Sequence, residues 1–129
     1  MNKTKLLLAL ILSSCLVILP RLWAEDWKVV WKDGMQELRI DRDSVQVNGA
    51  EVDYWYADEV DAIVDWMEHR YHVISDCRNN QMKVLEVYEP PSGPVKLVEV
   101  PQWKVVSYES NNPVAVMQDE ICRDYVGPS

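Results

Sequence analysis

The stretch Tyr71-His72-Val73-Ile74-Ser75-Asp76-Cys77 organises the prediction of the fold. It has the composition of a strand, and the strand ends in a cysteine. The other cysteine of the second half of the chain, Cys122, lies near the C-terminus beside an apolar stripe at helical spacing. A disulfide between Cys77 and Cys122 would tie a C-terminal helix to the middle of a sheet.

The N-terminal residues have the features of an export signal. Lys3 and Lys5 precede an apolar run over residues 6–19, and Leu22-Trp23-Ala24 resembles the small-residue end of a cleavage site. A membrane span needs roughly 20 residues, so this shorter run favours a cleaved signal over a retained anchor. Cleavage after Ala24 makes residues 1–24 the signal peptide and leaves residues 25–129, a single domain of 105 residues.

A bacterial lipobox is a second interpretation of the same region, because Leu12-Ser13-Ser14-Cys15 fits that pattern. In this case Cys15 is acylated, becomes the new N-terminus and anchors the domain through its lipid. The residues after Cys15 are apolar rather than a polar tether, which favours cleavage after Ala24. Under either interpretation Cys15 does not take part in a disulfide.

Two cysteines then remain in an oxidising compartment, and they allow one pairing, Cys77 with Cys122. Neither belongs to a Cys-x-x-Cys motif, which favours a structural bond over a redox site. A cross-link over a loop of this length contributes about 4 kcal/mol in the chain-entropy model. That is a large part of the roughly 5–15 kcal/mol by which small domains are stable.

Strand and turn signals alternate along the domain. Asp33-Gly34 and Asn48-Gly49 are turn dipeptides, and Val45 and Val47 alternate with polar residues before the second of them. The predicted extended segments cover residues 27–31, 35–41, 51–57, 71–77, 81–89 and 95–106. Asn111-Asn112-Pro113 is typical of a helix start, and the apolar stripe that follows consists of Val114, Met117, Ile121 and Tyr125. The predicted fold class is α+β, an antiparallel meander of five or six strands with the C-terminal helix on one face, tied by the disulfide.

The segment from Asp58 to Met67 departs from this alternation. Its apolar residues recur at helical spacing, so we expect a helical turn or an ordered loop; they are Val60, Ile63, Val64 and Met67. The same region is rich in acids, namely Asp58, Glu59, Asp61, Asp65 and Glu68. Because it has no glycine for the turn of a calcium loop, a solvated acidic face is favoured over a metal site.

The sequence contains no motif of a known catalytic or metal centre. His69 and His72 are three residues apart, which on a strand places them on opposite faces, so they would not share a metal ion. We therefore expect a protein that is not an enzyme and has no cofactor. The chain carries a charge of −8, and removal of Lys3, Lys5 and Arg21 with the signal leaves the domain near −11. This charge argues against nucleic acid and anionic lipid as partners.

Aromatic residues are the remaining signal of function. The mature domain has five tryptophans, six tyrosines and no phenylalanine, so every ring carries a polar group, which suits half-buried positions and binding faces. Trp55 and Trp66 are the candidates for an interaction surface. Trp55 alternates with Tyr54 and Tyr56 and so points to the other side of the strand, and Trp66 lies in the acidic segment.

The order of several short motifs along the domain is informative. Trp27 is followed by Tyr71-x-x-Ile74-x-Asp76-Cys77, by Tyr88 before a glycine-containing loop, by Trp103-x-x-Val106 and Ser110, and by Ile121-Cys122 on the terminal helix. In this order the chain resembles the surface-adhesin protein E family of small exported bacterial proteins, over nearly all of residues 27–122. The resemblance implies an antiparallel sheet with a disulfide-fixed C-terminal helix, and adhesion to host extracellular-matrix proteins.

The leading hypothesis is a non-enzymatic exported envelope protein that acts by contact with a protein partner, either an envelope protein or a host matrix protein. The alternative is a periplasmic accessory or ligand-binding module that uses an aromatic sheet face. We expect the periplasm or the outer-membrane surface, with no membrane span after processing and a lipid anchor if Cys15 is acylated. Exposed strand edges also allow a homodimer.

Overall fold

A computed structural model describes residues 25–61, 66–89, 95–109 and 112–127 of the chain. The predicted signal peptide, the cleavage site after Ala24 and the lipidation site at Cys15 lie outside these residues. Within them, no helix is long and apolar enough to cross a membrane.

One antiparallel sheet of eight strands dominates the described part of the chain. Its strands are β1 (Trp27–Asp33), β2 (Gln36–Asp41), β3 (Gln46–Asn48), β4 (Glu51–Asp61), β5 (Trp66–Asp76), β6 (Gln81–Tyr88), β7 (Lys96–Leu97) and β8 (Lys104–Val105). The order across the sheet is β1-β2-β4-β5-β6-β7, while β3 pairs with β4 and β8 with β6. The predicted meander is confirmed, and two short strands accompany the six of the main path.

Glycine closes two of the hairpins. Gly34 has φ +55° and Gly49 has φ +62°, values that side chains with a Cβ adopt rarely. The two residues lie in the β1–β2 and β3–β4 connections, as the Asp33-Gly34 and Asn48-Gly49 dipeptides predict. Short turns of this kind set the register of the strands that they join.

The helical turn or ordered loop predicted between Asp58 and Met67 is wrong for the described residues of that segment, which belong to strands. Strands β4 and β5 pair along their whole length, from Glu51 opposite Asp76 to Asp61 opposite Trp66. Cross-strand pairing therefore overrides the local helical spacing, because strand preference depends mainly on neighbours across the sheet. Residues 62–65, which include Ile63 and Val64, lie outside the described part.

The C-terminal helix α1 (Pro113–Ile121) covers one face of the sheet and continues into a π-helical segment, Cys122–Val126. Asn112 caps it as predicted, since its side chain accepts a hydrogen bond from the backbone N–H of Val114 at 3.2 Å. The helix and sheet share one apolar core, formed by Leu38, Ile40, Val52, Tyr54, Tyr56, Val73, Met82, Val106, Ala115, Met117 and Ile121. Of the predicted stripe, Tyr125 lies at the margin and is 37% exposed.

The disulfide joins Cys77, just after β5, to Cys122 at the end of α1, with the Cα atoms 5.6 Å apart. The predicted tether between the helix and the middle of the sheet is therefore confirmed.

A chain of buried hydrogen bonds reinforces this attachment. Ser75 donates to Gln118 Oε1 at 3.1 Å, so the Tyr54 hydroxyl, 2.8 Å away, is the donor to Ser75. Gln118 in turn donates to Asn80 Oδ1 at 3.1 Å. Because Ser75 and Gln118 are almost fully buried, these bonds spare them the cost of unpaired polar groups.

Candidate interaction surface

The face of the sheet opposite α1 carries charges and rings where the other face carries the core. We call it the charged face. Successive side chains of a strand point to opposite faces of the sheet, so on the long strands the residues of the charged face alternate with core residues. They are Glu37, Arg39, Glu51, Asp53, Trp55, Ala57, Glu59, Glu68, Arg70, His72, Ile74, Asp76, Gln81, Lys83, Glu86 and Tyr88.

Cross-strand register arranges these side chains in rows. Glu37, Glu59 and Glu68 stand opposite one another on β2, β4 and β5. The adjacent row, two residues along each strand, consists of Arg39, Ala57, Arg70 and Tyr88. A row of three carboxylates beside a row with two guanidinium groups allows each repulsion to be offset by a neighbouring attraction.

Ion pairs link the two rows. Arg39 lies 2.8 Å from both Glu37 and Glu59, and Arg70 lies 2.9 Å from Glu68. The hydrogen bond from Arg39 lowers the pKa of Glu37, whereas burial raises the pKa of Glu59 despite the nearby Arg39. Glu59 is only 8% exposed, so the prediction of a solvated acidic face is wrong for this residue.

His72 bridges two carboxylates at the centre of the charged face. Its Nδ1 lies 2.6 Å from Glu86 on β6, and its Nε2 lies 2.6 Å from Asp53 on β4. An ionised carboxylate only accepts hydrogen bonds, so both contacts are hydrogen bonds when both ring nitrogens carry a proton. Trp55 stacks on the imidazole with ring centroids 5.1 Å apart and planes 11° apart. Carboxylates thus occupy both nitrogens, and a tryptophan packs against the ring.

Cations occupy the faces of other rings near this bridge. The Arg70 guanidinium lies 5.0 Å from the centroid of the Trp27 ring and 5.9 Å from that of Tyr88. The Lys83 ammonium lies 4.5 Å from the centroid of the Trp103 ring. At these distances cations and rings attract each other through cation–π interactions. The interactions hold the rings and the cations in defined positions.

The structure describes the side chain of one of the two predicted interaction residues, Trp55, but not that of the other, Trp66. Trp55 lies on the charged face, half-buried against His72. Trp66 begins β5 opposite Asp61, and its side chain lies outside the described part of the structure. Their role in binding stays a prediction.

His69 and His72 take opposite faces, as the spacing predicts. His69 pairs with Asp58 and stacks on Tyr71, a neighbour of the core, at 6.4 Å. In the described ranges, no group of three His, Cys, Asp or Glu side chains has the geometry to hold a metal ion.

Sequence reasoning did not identify Asp53, His72 and Glu86 as one group. They come from three strands, and only the register between those strands brings them within hydrogen-bonding distance. The alternation of polar residues with Val52 and Tyr54 predicts which side of the sheet Asp53 faces. It does not predict which residues of the neighbouring strands lie beside Asp53.

A cleft of about 270 Å³ lies on the helix side, between β1 and the C-terminal helical segment. Its polar residues are Lys28, Arg42, Glu120 and Asp124 among others, and Lys28 is bound to Glu120 at 2.8 Å. Small-molecule sites usually occupy about 300–1,000 Å³ and are mostly apolar. The cleft is therefore a weaker candidate than the charged face.

Comparison with solved structures finds a similar fold in protein E from non-typeable Haemophilus influenzae. The TM-score is 0.51 with 13% sequence identity, over 78% of this chain and 77% of that chain. No family model and no curated protein matches the sequence. The resemblance to protein E drawn from the order of motifs is thus confirmed at the level of the fold.

Proposed function

We propose that this chain is an exported bacterial envelope protein that acts by protein–protein contact through its charged face. The observation that carries the proposal is the preformed group at the centre of that face, in which Trp55 stacks on His72 between Asp53 and Glu86. A sheet whose core face is already covered by a helix needs no such group for stability, and its residue types suit recognition.

The composition of the charged face supports this role. Tryptophan, tyrosine and arginine are enriched among the residues that dominate binding energy at protein interfaces. Trp27, Arg70 and Tyr88 are already held together by cation–π contacts. Side chains ordered before binding lose less conformational entropy when a partner arrives.

The His72 bridge also supports a non-enzymatic role. A histidine that acts as a general base needs a ring nitrogen within reach of a substrate proton. Carboxylate oxygens lie 2.6 Å from both ring nitrogens of His72, so neither is directed at a substrate. The arrangement suits a rigid binding element.

Export is supported by the predicted signal over residues 1–24 and by the Cys77–Cys122 bond, because disulfides persist in oxidising compartments. We infer that residues 25–129 form the mature domain. Its location is the periplasm or the outer-membrane surface, with a lipid anchor if Cys15 is acylated. Adhesion to host matrix proteins follows from the family resemblance and applies if the domain reaches the outer surface.

The contact is tested with the purified domain of residues 25–129 immobilised on a sensor surface. The analytes are purified host matrix proteins and purified envelope proteins. We expect micromolar binding that Trp55→Ala weakens by tenfold or more, since central interface tryptophans often contribute over 1.4 kcal/mol. Tyr125→Ala, which truncates a half-exposed ring on the helix side, is the matched control. Binding that is absent across the panel, or that both variants weaken equally, contradicts the proposal.

A ligand-binding module in the periplasm is the second candidate, favoured by the rings of Trp55 and Trp103 on and beside the charged face. Tryptophan fluorescence distinguishes it, because a small ligand on these rings would change the emission. An unchanged spectrum across peptides, glycans and metabolites counts against this candidate and leaves the protein contact.

Protease treatment of intact cells locates the domain. Loss of residues 25–129 from unbroken cells places it on the outer surface and favours adhesion. Protection until the outer membrane is opened places it in the periplasm and favours an envelope partner.

A further inference from the structure

The edge of the sheet beyond β6 differs from the rest of the surface. Residues 96–98 and 104–106 lie along β6 in two short pieces, β7 and β8 with one residue after each. Large apolar side chains are unusually exposed in this segment: Leu97 is 75% exposed, Val100 70%, Val105 71% and Tyr108 62%. Two of these residues, Leu97 and Val105, belong to the pieces that pair with β6, and exposed apolar side chains along a strand edge can contact a partner protein.

The register sorts the edge side chains into two kinds. Lys96 pairs with Val87 and Lys104 with Met82, and both partners lie on the core face, opposite Tyr71 and Ser75. Leu97 pairs with Glu86, and Val105 with Gln81, on the charged face. Directly paired residues share a face, so the edge presents two lysines on one side and two apolar residues on the other.

These lysines differ from the other described lysines. Lys28 and Lys32 each form an ion pair with a carboxylate, and Lys83 lies over the ring of Trp103. In residues 25–61, 66–89, 95–109 and 112–127, no carboxylate forms an ion pair with Lys96 or Lys104, and both are exposed. The two pieces of the edge that pair with β6 thus carry two lysines and no acid, whereas Glu99 lies in the connection between them. The domain as a whole has a charge near −11 after removal of Lys3, Lys5 and Arg21.

The backbone of the edge also has N–H groups that point away from β6. Val98 donates its N–H to Leu85 at 2.9 Å, and Val106 donates to Asn80 at 3.0 Å. Because N–H groups alternate in direction along a strand, those of Leu97 and Val105 point away from β6. An outward row of this kind can pair with an added strand.

We propose that the β7–β8 edge binds an extended acidic segment of a partner protein by strand addition. Acidic side chains of the segment would lie beside Lys96 and Lys104, and apolar side chains beside Leu97 and Val105. Their partners on β6, Val87 and Met82, are separated by four regular steps plus the extra residue of the bulge at Leu85. This is roughly 13 Å at about 3.3 Å per residue, so a segment of about six alternating residues can place acids beside both lysines. The inference rests on the proposed function and names the chemistry of the partner.

Charge also selects against a second copy of this chain as the occupant. Two identical edges in symmetric pairing would bring lysines of both copies to the same face of one sheet. Like charges on neighbouring strands destabilise the pairing, and lysines on an edge are a common protection against self-association. An acidic strand turns the same lysines into a favourable contact.

The test uses the domain of residues 25–129 and fluorescent six-residue peptides that alternate Glu with Val or Lys with Val. Fluorescence anisotropy should show at least tenfold tighter binding of the acidic peptide, weakened by added salt. The double variant Lys96→Glu with Lys104→Glu should reverse the preference. Equal binding of the two peptides, or no binding of the acidic one, would overturn the inference.

A backbone variant tests strand addition separately from charge. Leu97→Pro removes the outward N–H and keeps the inward donors, and proline is tolerated on edge strands in this orientation. We expect it to abolish binding of the acidic peptide, while Leu97→Thr, which keeps the N–H, retains most of it. Peptide binding unaffected by the proline excludes strand addition. Sedimentation equilibrium that shows a wild-type dimer and a Leu97→Pro monomer would instead assign the edge to a second copy.

The two proposals fail in different ways. If the acidic peptide does not bind but Trp55→Ala still abolishes contact with an envelope or matrix protein, the inference about the edge is wrong and the proposed function stands. If the peptide binds but no protein contact depends on Trp55, the proposed function of the charged face is wrong.

Discussion

Strands β4 and β5 present two faces that are built from different interactions. On the core face, Val52, Tyr54 and Val73 are fully buried beneath α1. On the charged face, one residue away along the same strands, Trp55 and His72 are half-buried among carboxylates. The two-residue period of a strand therefore lets a single pair of strands provide both the core and a candidate binding surface.

The two faces differ in what they contribute to stability. Burial of apolar side chains contributes about 25 cal/mol per Å², whereas partly exposed ion pairs usually contribute about 0–1 kcal/mol. Substitutions on the core face should thus lower the free energy of unfolding, and those on the charged face should mainly change binding. Three measurements test this difference.

Removal of the disulfide should have the largest effect. The bond spans 45 residues of sequence, for which the chain-entropy model gives about 4 kcal/mol. Replacement of Cys77 and Cys122 by serine should lower the free energy of unfolding by about that amount and expose the amides of α1 to hydrogen exchange. Urea titration and exchange measurements on the double variant check this. Unfolding at the wild-type urea concentration would show that the bond does not hold the helix on the sheet.

Truncation of a buried side chain on the core side of α1 should have the next largest effect on the free energy of unfolding. Met117 is fully buried and Val116 beside it is 44% exposed. We expect Met117→Ala to cost about 3 kcal/mol because it leaves a cavity, and Val116→Ala to cost less than about 0.5 kcal/mol. Urea unfolding of both variants provides the comparison. Similar losses in the two would contradict the separation of the helix into a core side and a solvent side.

The smallest effect should come from the charged face, where the ionisation of Glu59 makes the free energy of unfolding depend on pH. Burial raises the pKa of this carboxyl above its ordinary value, so the folded state favours the protonated form. Stability is then fully present below the ordinary pKa and declines as pH rises through the raised one. Glu59→Gln removes this decline, so the variant should gain free energy of unfolding over wild type as the pH rises from 4 to 7.

Urea unfolding at several pH values measures that difference, with Glu51→Gln, a half-exposed position on the same strand, as the control. A variant that loses stability relative to wild type on going to neutral pH would show that the Arg39 ion pair outweighs the burial of Glu59.

Much of the fold could be predicted from local signals. The turn dipeptides at Gly34 and Gly49 mark hairpins because they need a positive φ. Asn112 and Pro113 mark the start of α1 because a cap and an N1 proline satisfy its first turn. The segment at residues 58–61 misled the prediction, since Val60 matches a helical period but pairs with Met67 in the sheet.

The sequence by itself determined the disulfide, the α+β class and the alternation that places Trp55 opposite the core. Each depends on residue type, on local spacing or on the number of cysteines available to pair. Only the tertiary structure decided which charges meet: the Asp53–His72–Glu86 bridge joins three strands, and the lysines and apolar residues of the β7–β8 edge are sorted by their pairing with β6. These contacts depend on the register between strands, which side-chain packing and turn geometry set together and which local sequence does not specify.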